Sequence, residues 1–122
     1  MTTYRQRVGR MGEALARTHL EAIGYSILHE NYRGKFGEID LVARKDGVLV
    51  FVEVRTRTAR GFGIPEESIT QAKSDRMVAL ALEYVESHPA EGSEWRIDVV
   101  AIELGRTGAP SRVEVIENAV EG

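Results

Sequence analysis

Two strand-like segments, Ile39–Arg44 and Val48–Thr56, hinge on Lys45-Asp46-Gly47, and this hairpin constrains the chain more than any other feature. Both segments are rich in Val, Leu, Ile and Phe. Asp and Gly tolerate positive φ, so Asp-Gly between such segments predicts a two-residue β-hairpin. In a regular hairpin, residues equidistant from the turn face one another. Asp40 and Glu53 each stand six residues from it. Their Cβ atoms would then lie roughly 4.5–5.5 Å apart on one face. Arg55, two residues further on, shares that face.

Opposed carboxylates in a sheet repel, and an apolar surround makes the repulsion worse by disfavouring the charged form. Something positive should compensate. A hard divalent cation bound by oxygens is one solution. Arg55, as a structural counter-ion, is the other. These residues alone leave both open.

The remaining segments suggest what surrounds the hairpin. Arg5–Ile23 reads as an amphipathic helix with Val8, Met11, Leu15, His19 and Ala22 as its apolar stripe, closed by Gly24. Glu13 lies at the edge of that stripe, either pointing along the sheet surface or as a solvated boundary residue. Tyr25–Asn31 reads as a strand and Tyr32–Gly37 as a basic turn. Thr58–Pro65 reads as a Gly-bearing loop. A second helix is expected over Ile69–Ser87, with Ile69, Ala72, Met77, Leu80, Tyr84 and Val85 or His88 facing inward and Pro89 beyond its end. Trp95–Leu104 reads as a strand buried on both faces, and Arg112–Ile116 as an edge strand. The order α-β-β-β-α-β-β predicts an α/β fold with a mixed sheet flanked by helices. One domain is expected over residues 5–118, with 1–4 and 119–122 as flexible termini.

The chain has 122 residues, enough for one core without disulfide or metal staples. It has no Cys, which excludes disulfides and thiolate metal sites. No segment reads as a secretory signal or approaches the ~20 apolar residues of a membrane span. The cytoplasm is the expected location. Net charge is −3, but its distribution is uneven. Residues 1–60 carry eleven Lys/Arg against seven Asp/Glu, and residues 61–122 carry five against twelve. A basic half hints at a polyanion partner, unless folding intermixes the halves. His19, His29 and His88 lack zinc spacing, and neither a P-loop nor Gly-x-Ser-x-Gly is present.

A helix Glu, a strand Asp and Glu-x-Arg on the next strand, Glu13…Asp40…Glu53-Val54-Arg55, resemble the PD-(D/E)xK nuclease superfamily, and within it the archaeal Holliday-junction resolvases. More closely, the chain resembles the YraN family of small bacterial proteins. The matching stretches are Gly12-Glu13-Ala14, Asn31-Tyr32-Arg33, Gly37–Ala43, Leu49–Arg57, the Gly61–Pro65 loop with Glu66–Ile69, and Arg96–Val100. The resemblance implies a restriction-endonuclease-like αβββαβ core. It further implies a metal-dependent endonuclease acting on DNA, structure-selective in the manner of a resolvase, or else a non-catalytic nucleic-acid-binding module on the same fold.

It also implies roles. Asp40 and Glu53 would hold Mg2+ or Mn2+, and Glu13 would orient a water or hold a second ion. The motif usually ends in Lys. Arg55 stays protonated at any working pH, so it cannot be a general base, though it can clamp a phosphate and stabilise developing charge. Lys73 is a candidate substitute, and Gln71 could position water or phosphate. Arg33, Lys35, Arg57 and Arg60 flank the proposed site and suit phosphate-backbone contact. Tyr32, Phe36 and Phe62 could stack on exposed bases. The two-fold symmetry of DNA junctions would suit a homodimer.

Overall fold

The computed structural model describes residues 2–58 and 70–120. Helix α1 spans Tyr4–Ala22, and strands β1, β2 and β3 span Ser26–Gly34, Gly37–Lys45 and Val48–Thr58. Helix α2 spans Gln71–Ser87, a 3-10 turn covers Pro89–Glu91, and β4 and β5 span Trp95–Leu104 and Pro110–Val120. The five strands form one sheet in chain order. Neighbours are antiparallel except β3 and β4, which run parallel with α2 in the crossover between them. The order α1-β1-β2-β3-α2-β4 is the αβββαβ core expected of the restriction-endonuclease-like class, with β5 added at one edge.

The helices cover opposite faces. Val8, Ala16 and Leu20 of α1 pack with Leu41, Ala43, Val50, Val52, Val100 and Ile102. Leu80, Ala81 and Tyr84 of α2 pack with Ile39, Val42, Leu49, Phe51 and Ile97. The buried stripe of α1 is Val8, Gly12, Ala16 and Leu20, a different phase from the one expected, and Met11 is exposed. Small residues explain the shift. A methyl group at Gly12 would overlap Thr56 Oγ1, so α1 crosses β3 there at close range. The helix starts at a capping box, in which Gln6 N–H donates to Thr3 Oγ1 (3.1 Å) and Thr3 N–H to Gln6 Oε1 (2.9 Å). In α2, Thr70 is the N-cap, Ala72 is exposed, and Ile69 lies outside the described residues.

The Asp46-Gly47 hairpin forms with φ of 50° and 80°, the left-handed pair that a two-residue turn of this kind requires. Pairing follows the expected register from Lys45↔Val48 to Leu41↔Val52 and stops there. Asp40 and Glu53 are therefore not a ladder pair. β1–β2 pairing also skips Asp40 and Asn31, passing from Tyr32↔Ile39 to Glu30↔Leu41, and Asn31 has a φ of 52°. Asp40 thus sits at a break in both ladders.

β1 and β2 run further than expected, to Gly34↔Gly37, leaving Lys35 and Phe36 at the tip of a second hairpin. β5 is also longer. Tyr4 opens α1, and Ala119 and Val120 belong to β5, so these residues are part of the fold and not of loose termini. Val120 is buried opposite Ile97, and the end of β5 is tied to β4 at Asp98. That buried carboxylate accepts from Tyr25 OH (2.8 Å), Arg96 Nε (3.0 Å) and Asn118 N–H (2.9 Å). A buried charge needs such a full set of donors, which gives the Arg96–Val100 stretch a structural explanation. Among the described residues, no helix is long and apolar enough to cross a membrane.

Candidate active site

The breaks at Asp40 create a cleft of about 670 Å³ between α1 and the strands, lined in part by Glu13, Glu38, Asp40 and Asn31. The close approach at Gly12 carries the next residue, Glu13, over this cleft. The Asp40 carboxylate is fixed from below: its Oδ2 accepts the Val54 N–H (2.8 Å). One carboxylate oxygen each from Glu13, Glu38 and Asp40 lie within 4.8 Å of one another. The Asn31 amide, oriented as hydrogen bonding requires, donates to Glu13 Oε1 (3.0 Å) and Glu38 Oε1 (2.8 Å). Its left-handed backbone turns it there.

Three carboxylates at this distance cannot all ionise cheaply. Burial, then Glu53, Glu13 and Glu38, push the Asp40 carboxyl up to about 8 from an ordinary 3.8, against the opposing pull of the Val54 N–H. Glu13 is raised by burial and by Glu38, Glu30 and Glu53, and lowered by its hydrogen bond with Asp40. The cluster therefore shares protons unless a cation replaces them. All donors are hard oxygens, a set that fits Mg2+ or Mn2+ and offers nothing to a soft metal.

Glu53 and Arg55 stand outside that mutual group. In β3 they alternate with Val52 and Val54, which face α1, so they lie on the α2 side. Arg55 Nη2 sits 3.0 Å from Glu53 Oε1, with both side chains less than one fifth exposed. Burial raises Glu53, while Arg55, Lys73 and Arg76 pull it back down. Arg55 Nε is buried and finds no acceptor among the described residues. The site is thus two-sided: an acidic cluster under α1, and a Glu–Arg pair beneath the start of α2.

A family model described as "Uncharacterised protein family UPF0102" matches residues 12–102, from Gly12 of α1 into the core strand β4. The chain belongs to that family. The UPF0102 protein of Roseiflexus castenholzii is 48% identical over 122 residues, covering 99% of this chain and 98% of its own. That of Moorella thermoacetica is 45% identical over 119 residues, covering 98% of this chain and 99% of its own. The resemblance to the YraN family thus holds over nearly the whole chain. Among solved structures, Pyrococcus furiosus SfsA in complex with Ca2+ matches over 97% of this chain, with a TM-score of 0.46 and 16% identity. This chain spans 65% of that protein's length, and a likeness at this level carries no inference about fold or chemistry.

In this UPF0102 chain the expected phosphate-contacting residues do not form one stripe. Arg33 is largely exposed and lies 3.6 Å from Glu38 Oε2, at the rim of the acidic cleft. Lys35 is at the hairpin tip, where its N–H donates to Glu83 of α2 (2.9 Å). Arg57 lies 3.6 Å from Glu103 of β4. Gln71 donates to Asp75 (2.8 Å), while Lys73 acts on Glu53. Tyr32 packs edge-on against Tyr84 (4.9 Å between centroids), whereas Phe36 is exposed. Arg60 and Phe62 lie outside the described residues.

Sequence reasoning missed Glu38, Asn31 and the α1 arginines Arg5 and Arg10, which line the cleft. The alternation of Glu38 with Asp40 was an available signal. The two arginines were not recognisable, because their place depends on how α1 crosses the sheet.

Proposed function

We propose that this UPF0102 protein is a divalent-cation-dependent nuclease acting on DNA. The observation that carries the reading is Asp40. Its carboxylate is bonded to Val54 N–H where the β2 ladder ends, grouped with Glu13 and Glu38, and raised to about 8. Such a group calls for a proton or a cation.

Asp40 and Glu13, with Glu38 beside them, would hold Mg2+ or Mn2+. When bound, such an ion lowers the pKa of an attacking water and offsets charge on the scissile phosphate. Glu13, beside Asp40 in the cleft, would orient that water. Arg55 anchors Glu53 on the α2 side of the sheet. Arg5 and Arg10 at the cleft, and Arg33 beside Glu38, suit backbone contact. No base-reading motif accompanies them, which favours recognition of nucleic-acid shape, and a homodimer would match two-fold junctions.

Labelled four-way junctions, flaps and single strands incubated in Mg2+ or Mn2+ test the reading. We expect cutting of at least one substrate, reduced at least a hundredfold in Asp40→Asn and Glu13→Gln. Binding without cutting across the panel would leave a nucleic-acid-binding module, with Arg55 as its phosphate clamp. Equal cutting by the wild type and Asp40→Asn would overturn the catalytic role of the cleft.

A further inference from the structure

Away from the acidic cleft, the fold brings His29 to His88 and Glu91, some sixty residues further along the chain. His29 lies on β1, whose register shifts between Ile27 and His29. His88 ends α2, and Glu91 closes the 3-10 turn that follows. The turn holds the two together, the Glu91 N–H donating to the His88 carbonyl (3.0 Å). One ligand atom from each of the three lies within 4.8 Å of the others, and all three are half-buried.

The surroundings orient each group. His88 Nδ1 is 2.9 Å from the Tyr84 carbonyl. A carbonyl only accepts, so Nδ1 donates there and Nε2 is the ring nitrogen left to face a ligand. This arrangement, the far ring nitrogen donating to a backbone carbonyl, is the usual support of a metal-binding histidine. The His88 ring stacks flat on Tyr84 (4.0 Å between centroids, 12° between planes), which leaves only in-plane directions for a ligand. The Tyr84 hydroxyl donates to Glu91 Oε2 and fixes that carboxylate. Arg44 Nη2 donates to the Glu91 carbonyl (2.7 Å) and pins the turn. The His29 and His88 ring centroids are 6.0 Å apart.

We propose that His29, His88 and Glu91 form a second metal site, for a borderline transition-metal cation of the Zn2+ type. Two imidazoles and one carboxylate are a recognised donor set for such an ion, with a fourth position left to water. Tetrahedral ligands at about 2.0–2.1 Å from a centre lie roughly 3.3 Å apart. The ion would clip the C-terminal end of α2 to β1. Its nitrogen donors separate it from the all-oxygen cleft, where Mg2+ or Mn2+ fits better.

Calorimetric titration of the metal-stripped full chain with Zn2+ is the test, read together with ring 1H–15N NMR spectra of the wild type. We expect one Zn2+ site that shifts the ring resonances of His29 and His88 and leaves His19 unmoved. Affinity should fall at least tenfold in His29→Gln and in His88→Gln, and several-fold in Tyr84→Phe, which loses the bond to Glu91. Asp40→Ala should leave this site intact. The wild-type NMR readout needs no substitution, so a variant that fails to fold does not block the test. Absence of Zn2+ binding, binding with both ring signals unmoved, or loss of the site in Asp40→Ala would each overturn the proposal.

Discussion

Asp40 is held by one backbone N–H and crowded by three carboxylates, and that balance has a measurable sign. Its proton is retained to about pH 8 in the folded chain, against 3.8 for an ordinary Asp. Between those values the folded state binds more protons than the unfolded state. Stability without metal should therefore be greatest below about pH 4 as far as this group is concerned, and fall as pH rises toward 8. Asp40→Asn keeps an acceptor for Val54 and removes the charge. Urea denaturation in chelator should show the variant gaining on wild type as pH rises, with the difference shrinking when Mn2+ is added. A pH slope identical in both proteins would refute the assignment. Arg55 gives a second residue-scale outcome. Its ion pair with Glu53 is mostly buried, so Arg55→Gln should cost about 2 kcal/mol of stability. Arg55→Lys should cost less, since the charge remains.

At the scale of elements, the contact between α1 and β3 decides where Glu13 stands. Gly12→Ala would force a methyl against Thr56, costing about 1–3 kcal/mol in urea melts and displacing Glu13, so cation affinity should fall with it. Gly9→Ala meets open space on the same helix and should be neutral or stabilising by about 0.5–1 kcal/mol. The turn chemistry of Asp46-Gly47 made the central hairpin readable from sequence, and its register held as far as Leu41↔Val52. It failed at the functional residue itself, where Asp40 bonds to the β3 backbone and Asn31 adopts a left-handed conformation. Both are departures that strand periodicity does not encode. The α1 stripe was misphased for a related reason. Apolar periodicity favours large side chains such as Met11, whereas a close helix–sheet contact selects Gly12 and Ala16. Glu38 shares the alternation of Asp40 and was legible in principle. The meeting of Glu38 with a helix residue was not, and nor was that of His29 with His88, since both arise only when the elements pack.

Across the whole molecule, folding laces the basic and acidic halves together. The parallel pairing of β3 with β4 joins them, and Arg57 meets Glu103 while Arg17 stays with Glu30. DNA contact should therefore be local, made by the residues around the cleft. Affinity should weaken with salt, and Arg33→Ala, at the exposed rim, should lower the slope of log affinity against log salt by about one without changing the preferred substrate. At the centre of the proposed function, a cation replaces protons in the Glu13–Glu38–Asp40 cleft. Calorimetric Mn2+ titration at pH 7, repeated in buffers of different ionisation enthalpy, tests it most directly. Wild type should bind and release roughly one proton, because Asp40 is largely protonated at that pH. Asp40→Ala should lose both the binding and the buffer dependence. Mn2+ binding of equal strength in Asp40→Ala, or binding by wild type without proton release, would contradict it.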